Sequence, residues 1–256
     1  IYRDGSHSIQ ALEEVSVSLV PGKCVALVGE SGSGKTTFGN ACMGLLPSNA
    51  VREGEIILNG KRIDQLDESA LNELRWEQIS MVFQNGAVNM NPLHRIVDQV
   101  AEPLIHHRSL SQAKAIAKAS KALEQIEVKE EYHYRYPHQL SGGQIQRALI
   151  AMALILDPET LILDEPTSAL DALSKTIVSE VIKTAKSENK SVLLITHDLE
   201  FAVHNSDTIV MLYLGQIMET LPATDLLTQP LHPYTLALGR SYPAMSTARD
   251  LGGIRG

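Results

Sequence analysis

Short apolar runs of strand length alternate along this chain with longer stretches of helical spacing. Lys23 to Val28, Ile79 to Phe83, Leu161 to Leu163 and Ser191 to Ile195 each read as a strand, and each stops at glycine or polar residues. Gln10 to Val20 alternates apolar and polar residues in strand fashion. Asn59-Gly60 sits between Glu55-Ile56-Ile57-Leu58 and Lys61-Arg62-Ile63, a strong hairpin signal. These segments predict an antiparallel β-subdomain beside a parallel sheet. From about Asn85 to Gln139 the strand patterning disappears. Ser111 to Val128 is rich in Ala, Lys, Glu and Gln, with Ile116, Ala119, Leu123 and Ile126 on one face, which predicts an amphipathic helix. The longest apolar run, Ala148 to Leu156, reads as a buried helix. No internal repeat or low-complexity region interrupts this organisation.

Chemistry concentrates where the predicted strands end. Gly29-Glu30-Ser31-Gly32-Ser33-Gly34-Lys35-Thr36 follows the first strand and opens a helix. Gly29, Gly32 and Gly34 are expected to take positive φ and let the backbone approach an anion. The N–H groups of the loop and of the helix's first turn would point at phosphates, with the helix dipole favouring negative charge. Lys35 would reach the β- and γ-phosphates and the Thr36 hydroxyl would ligate Mg²⁺. The full eight-residue pattern in strand–loop–helix context separates it from an ordinary glycine turn. Asp164-Glu165 ends a second strand, where open α/β sheets place their ligands. Asp164 would hold Mg²⁺ through water, and Glu165 would orient or deprotonate an attacking water. Paired acids after a strand are usually a solvated turn, but Pro166-Thr167-Ser168-Ala169-Leu170-Asp171 follows at once and argues against that here. Gln84 ends a third strand, facing Mg²⁺ and the water. His197 ends a fourth, just before the helix N-cap Asp198, and its imidazole could reach a γ-phosphate.

Composition sets limits. A chain of 256 residues can bury roughly three quarters of its unfolded surface, enough for one large α/β domain with an inserted subdomain. A net charge of −8 argues against a broad electrostatic footprint on nucleic acid. Cys24 and Cys42 are placed as small buried hydrophobes, with no disulfide framework, consistent with a reducing compartment. No apolar run approaches the roughly 18 residues of a membrane span, and no signal peptide is visible. The chain opens at Ile1 rather than Met, and an edge strand ahead of it is expected to be missing.

Leu140-Ser141-Gly142-Gly143-Gln144, lying between the phosphate loop and Asp164-Glu165 in number order, completes a set of motifs that resembles the ABC-type ATPases. The implied fold class is α/β, a P-loop NTPase ABC-type nucleotide-binding domain with an antiparallel β-subdomain and an inserted α-helical subdomain. Residues 1–84 and 140–229 would form the catalytic lobe, 85–139 the helical subdomain contacting a membrane subunit, and 230–256 a family-type tail. In such ATPases the Leu-Ser-Gly-Gly-Gln segment caps the nucleotide bound by a second subunit. Ser141 opens the next helix, so Ser141, Gly142, Gly143 and Gln144 would supply an anion-binding N-terminus to the partner's γ-phosphate. The resemblance also gives ATP contacts to Gly29, Ser31, Gly32, Ser33, Gly34, Lys35, Thr36 and Thr37, and an adenine-stacking role to Tyr2. It assigns Mg²⁺ to Thr36, Gln84 and Asp164, and catalysis to Glu165, His197 and Gln84.

The tail narrows the resemblance. Pro230-Leu231-His232-Pro233-Tyr234-Thr235, continuing to Ser241-Tyr242-Pro243, is similar to the end of ATPases serving oligopeptide, dipeptide and nickel importers. Asn89-Met90-Asn91-Pro92 and Asp98 to Leu104 agree. This implies a peripheral ATPase on the cytoplasmic face of the cell membrane, driving uptake of peptides, nickel or a metal chelate. Its expected partners are a second ABC ATPase (self or paralogue) in a head-to-tail dimer, two transmembrane permease subunits and, indirectly, an extracytoplasmic substrate-binding protein; nucleic acid is not expected. The alternative is a soluble ABC ATPase attached to an enzyme complex such as carbon–phosphorus lyase. DNA-repair ABC ATPases are more distant, since the chain lacks their coiled-coil insertion and zinc cysteines. Departures from the family are Asn85-Gly86, where an acidic residue and proline are common, and Ile145, at an often basic position. No cysteine follows Cys42, so no iron–sulfur cluster is expected. His94, His106, His107, His133 and His138 are expected to be solvated.

Overall fold

The computed structural model describes residues 1–4, 7–84, 88, 90–168, 172–226 and 228–241. The chain forms two compact units, one of Ile1–Gln65 with Ala185–Gly256, the other Leu66–Thr184. It begins with strands β1 (Tyr2–Asp4), β2 (His7–Ile9) and β3 (Cys24–Val28), followed by helix α1 (Lys35–Cys42) and strands β4 (Ile57–Leu58) and β5 (Lys61–Arg62). The middle of the chain gives α2 (Glu68–Leu74), β6 (Ile79–Val82), α3 (Ile96–Arg108), α4 (Gln112–Gln125), α5 (Glu130–His133), α6 (Gly142–Leu154) and β7 (Thr160–Asp164). Helix α7 (Ala172–Ser187), β8 (Ser191–Thr196), α8 (Leu199–Asn205), β9 (Thr208–Tyr213), β10 (Gln216–Pro222) and α9 (Pro233–Ser241) complete it.

The core of the first unit is a ladder in the order β10-β9-β3-β8. Strand β3 pairs in parallel with β8 (Ala26 opposite Leu194) and with β9 (Ala26 opposite Ile209), while β10 runs antiparallel to β9. All five residues of β3 and all six of β8 are buried. A strand covered on both faces needs apolar side chains at successive positions, which is why these segments are continuous rather than alternating. The hairpin predicted at Asn59-Gly60 is present: Ile57 pairs with Arg62 and Leu58 with Lys61. Asn59 and Gly60 have φ of 51° and 76°, as a two-residue turn matched to strand twist requires.

Gln10 to Val20 is not a strand. Its alternation survives as burial, with Val15, Val17 and Leu19 half-buried and Ser16, Ser18 and Val20 exposed. Its backbone finds the Gly215 carbonyl, to which the Glu13 N–H donates at 2.8 Å, but no ladder partner among the described residues. Periodicity reports which face is covered; pairing depends on a neighbouring strand that the pattern itself does not specify.

In the second unit β6 and β7 pair in parallel, Met81 opposite Ile162. The predicted amphipathic helix is α4, which buries Ala115, Ala119 and Leu123 against α3 and α6. Ile126, just past its end, is also buried. Helix α6 contains most of the longest apolar run and buries Ile145, Ala148, Leu149, Ile150, Ala151 and Ala153.

Asp207 ties several pieces of the first unit together. Its carboxylate accepts from the Cys24 N–H at 2.8 Å and forms ion pairs with Lys186 at 2.8 Å and Lys23 at 3.1 Å, while its own N–H donates to the Cys24 carbonyl. Partial burial pushes its pKa upward, but the Cys24 N–H and the two lysines outweigh this and hold it below the usual carboxylate value. A carboxyl with a depressed folded-state pKa stabilises above its unfolded pKa and loses that contribution as pH falls through the folded value. Asp207→Asn is therefore expected to cost about 1–2 kcal/mol at neutral pH. The gap between the two proteins, measured by urea unfolding, should shrink as pH drops below about 4.

Candidate active site

The loop between β3 and α1 closes on itself where the Ser33 N–H donates to the Glu30 carbonyl at 3.2 Å. Gly32 and Gly34 have φ of 82° and 103°, the left-handed conformation expected of them. Gly29 does not share it. It is glycine because a Cβ there would collide with the Leu212 carbonyl oxygen and lie 2.9 Å from Ser33 Oγ. At Gly34 the conformation and the space both matter, since a Cβ would come 2.6 Å from the Ala11 carbonyl oxygen. The Gly215 N–H donates to the Ser33 carbonyl at 3.0 Å, so the turn joining β9 to β10 braces the loop from behind.

Lys35 is buried, its ammonium donating to the Gly29 and Glu30 carbonyls at 2.7 Å each. Thr36, at the first turn of α1, is exposed, and Ser31 and Gly32 are exposed beside it. Ser33 Oγ is buried without a hydrogen-bond partner among the described residues. Tyr2 lies against α1, its hydroxyl sharing a 3.2 Å hydrogen bond with Thr37 Oγ1. His197, directly after β8, is exposed. Asp198 caps α8 as expected, accepting from the Phe201 N–H at 3.0 Å.

In the second unit the two carboxylates at the end of β7 are not a solvated turn: Asp164 is 0% exposed and Glu165 is 6% exposed. Glu165 has φ of 48°, unusual for a residue with a side chain. Its carbonyl accepts from the Ser168 N–H and Ser168 Oγ, a turn that fixes the direction in which the chain leaves the strand. Gln84, two residues past β6, is exposed.

Ser141 and Gln144 close a reciprocal cap on α6. Ser141 Oγ accepts from the Gln144 N–H at 3.3 Å, and Gln144 Oε1 accepts from the Ser141 N–H at 2.9 Å. Ser141 and Gly142 are exposed, and a Cβ on Gly142 would meet nothing within 4 Å. The space in front of this helix end is thus open. Ile145, at the often basic position, is buried in α6.

Cys24 is fully buried and Cys42 half-buried, and desolvation pushes each thiol up to about 12. One histidine expectation is overturned. His133 is fully buried, with Nε2 at 2.9 Å from the Val128 carbonyl, because the short helix α5 folds its ring inward. His94, His106 and His138 are exposed, and no group of three or more His, Cys, Asp or Glu assembles among the described residues. Asn85, Gly86, Asn89, the Ala169-Leu170-Asp171 end of its motif and the tail beyond Ser241 lie outside the described residues. The braces at Ala11, Leu212 and Gly215 were not foreseen. They join residues far apart in number, and no local pattern marks them.

Known proteins place this geometry. Residues 12–168 match the ABC transporter family, and residues 218–256 match the oligopeptide/dipeptide transporter C-terminal region. The chain is 37% identical to a putative peptide import ATP-binding protein of Brucella melitensis, over 98% of this chain and 77% of that one. It is 38% identical to the oligopeptide transport ATP-binding protein OppD of Escherichia coli, over 93% of this chain and 71% of that one. Among solved structures, the ATP-binding cassette MJ0796 in a dimeric post-hydrolysis state bound to ADP and Pi superposes with a TM-score of 0.79 at 31% identity, covering 87% of this chain and 94% of that one. No described helix is long and apolar enough to cross a membrane. An ABC-type α/β cassette, extended by the C-terminal region of peptide transporters, is the result: the chain belongs to the ABC transporter family and is one of its ATPases.

Proposed function

We propose that this ATPase powers peptide uptake as the nucleotide-hydrolysing subunit of an oligopeptide or dipeptide importer. The observation that carries this reading is the match of residues 218–256 to the oligopeptide/dipeptide transporter C-terminal region, joined to relatives named for peptide import and oligopeptide transport. Nothing comparable favours nickel, a metal chelate or a carbon–phosphorus lyase complex as its business. Two membrane-spanning permease subunits are the expected partners, with the chain bound peripherally to the inner face of the membrane. A pull-down from detergent-solubilised membranes should recover two multi-spanning proteins. Recovery of soluble enzymes alone would sink the importer reading.

In this reading ATP lies along the phosphate loop. Lys35 leaves the Gly29 and Glu30 carbonyls for the phosphates, and Tyr2 stacks on adenine. Thr36, Gln84 and Asp164 offer hydroxyl, amide and carboxylate oxygens, a hard donor set suited to Mg²⁺. When bound, that ion would neutralise phosphate charge. Glu165 positions and deprotonates the attacking water, and His197 contacts the γ-phosphate during transfer. The burial of Glu165 supports this assignment, and the turn to Ser168 fixes how the chain leaves the strand there. Lys35→Ala should then weaken ATP binding itself by removing a charge from the cradle. His197→Ala should bind ATP nearly normally yet turn over slowly, and equal loss of binding in both variants, read by calorimetry, would contradict the division of roles.

The open helix end at Ser141 and Gly142 supports pairing. We read Ser141 to Gln144 as facing the ATP of a second cassette, a copy or a paralogue, in a head-to-tail dimer; MJ0796 itself was solved as a dimer. Glu165→Gln should keep ATP binding while hydrolysis falls roughly 10²-fold or more, so that Mg-ATP traps the dimer. Adding Ser141→Arg in that background should abolish trapping while single-chain binding survives. Equal dimer by light scattering in both proteins would remove this segment from the partner's site.

A further inference from the structure

The turn between β9 and β10 is built tightly and from few residues. Tyr213 pairs with Gln216, so the turn is Leu214 and Gly215 alone, with φ of 45° and 80°. Positive φ at both positions is the two-residue turn that matches strand twist, and asparagine is its usual first residue. Leucine is an uncommon choice there, and Leu214 is exposed. The turn's hydrogen bonds to the rest of the first unit run through Gly215 and Gln216.

Gly215 is bonded on both sides. Its N–H donates to the Ser33 carbonyl at 3.0 Å, and its own carbonyl accepts from the Glu13 N–H at 2.8 Å. Gln216 Nε2 adds a bond to Glu13 Oε2 at 2.6 Å. The Ala11 carbonyl fills the space between turn and loop. A Cβ at Gly215 would lie 2.6 Å from its oxygen, and so would a Cβ at Gly34. Two glycines far apart in number therefore face one carbonyl, and a side chain on either would part the layers.

The Ser33–Gly34 peptide is trans, so its C=O and N–H point in opposite directions. With the Ser33 carbonyl drawn to the hairpin, the Gly34 N–H points away from it. That N–H finds no acceptor among the described residues. It stands one residue before Lys35, at the N-cap of α1.

We propose that Gly215 is a positioning residue for the phosphate loop: its N–H holds the Ser33 carbonyl and thereby aims the Gly34 N–H at the phosphates of a nucleoside triphosphate. The proposal rests on the reading of this loop as the ATP site. A donor already aimed loses less ordering entropy when the anion arrives. The hairpin turn contributes to nucleotide affinity in this way without touching the nucleotide.

An ester in place of the Leu214–Gly215 amide, installed by supplying glycolic acid at position 215 during in vitro translation, deletes this N–H and adds nothing beside Ala11. Binding of radiolabelled AMP-PNP, a slowly hydrolysed analogue, should weaken about three- to tenfold, the scale of one hydrogen bond. Gly215→Ala, which drives a Cβ against the Ala11 carbonyl, should lose at least as much, and the ester carries the test alone if that variant fails to fold. In both, the KM for ATP should rise by more than kcat falls; a protein that is merely less stable loses active molecules and keeps its KM. Leu214→Asn retains Gly215 and supplies the turn's preferred first residue, so the melting temperature should rise while affinity stays unchanged. Unchanged affinity in the ester protein, with binding lost in Lys35→Ala, would overturn the proposal and leave the ATP site standing. Full binding by Lys35→Ala would bring down the phosphate-loop reading itself, and the proposal with it.

Discussion

A loop that is to receive phosphate must keep most of its N–H groups unspent, so much of its shape has to be imposed from outside. Ordinary turns hold themselves by closing internal hydrogen bonds; this one closes the Ser33 N–H on the Glu30 carbonyl at 3.2 Å and is braced from outside as well. The Ala11 carbonyl leaves no room for a Cβ at Gly34 and the Leu212 carbonyl none at Gly29, and the Gly215 N–H holds the Ser33 carbonyl. Leu212 and Gly215 belong to the β9–β10 hairpin and depend on β3, β9 and β10 standing in register, while Ala11 lies on the segment ahead of β3. The Asp207 cluster that pins the starts of β3 and β9 is therefore tied to the site as well as to stability.

The same economy recurs at α6. Its first turn satisfies the Ser141 and Gln144 amides by a reciprocal side-chain cap and leaves open space before Gly142. A cap of this kind fixes where the helix begins without covering its end. At β7 the opposite solution is used: two carboxylates are buried, and the left-handed φ of Glu165 is held by a turn to Ser168. Strain of this sort costs on the order of 1–3 kcal/mol and persists where surrounding structure over-determines it.

What was legible in the sequence was local. Asn59-Gly60 named its own turn, the spacing of Ala119 and Leu123 named the buried face of α4, and Asp198 named the start of α8. The glycine-rich loop was legible as a loop, yet the reason for Gly29 was not, because it lies in the Leu212 carbonyl on a strand far along the chain. Gln10 to Val20 misled for a related cause: alternation records one covered face, and this segment covers that face without a strand beside it. His133 was misjudged because a polar, helical neighbourhood says little about which single side chain a four-residue helix turns inward.

The two cysteines have a practical corollary. A thiol displaced from 9.0 to about 12 presents roughly a thousandfold less thiolate at neutral pH, and thiolate is the form that alkylates, oxidises and exchanges. Cys24, fully buried, is shielded by the fold as well as by its raised pKa, whereas Cys42 is half-buried. A cysteine introduced on an exposed face, with an ordinary thiol pKa, would outpace both native thiols, so a maleimide dye or spin label would favour that chosen position.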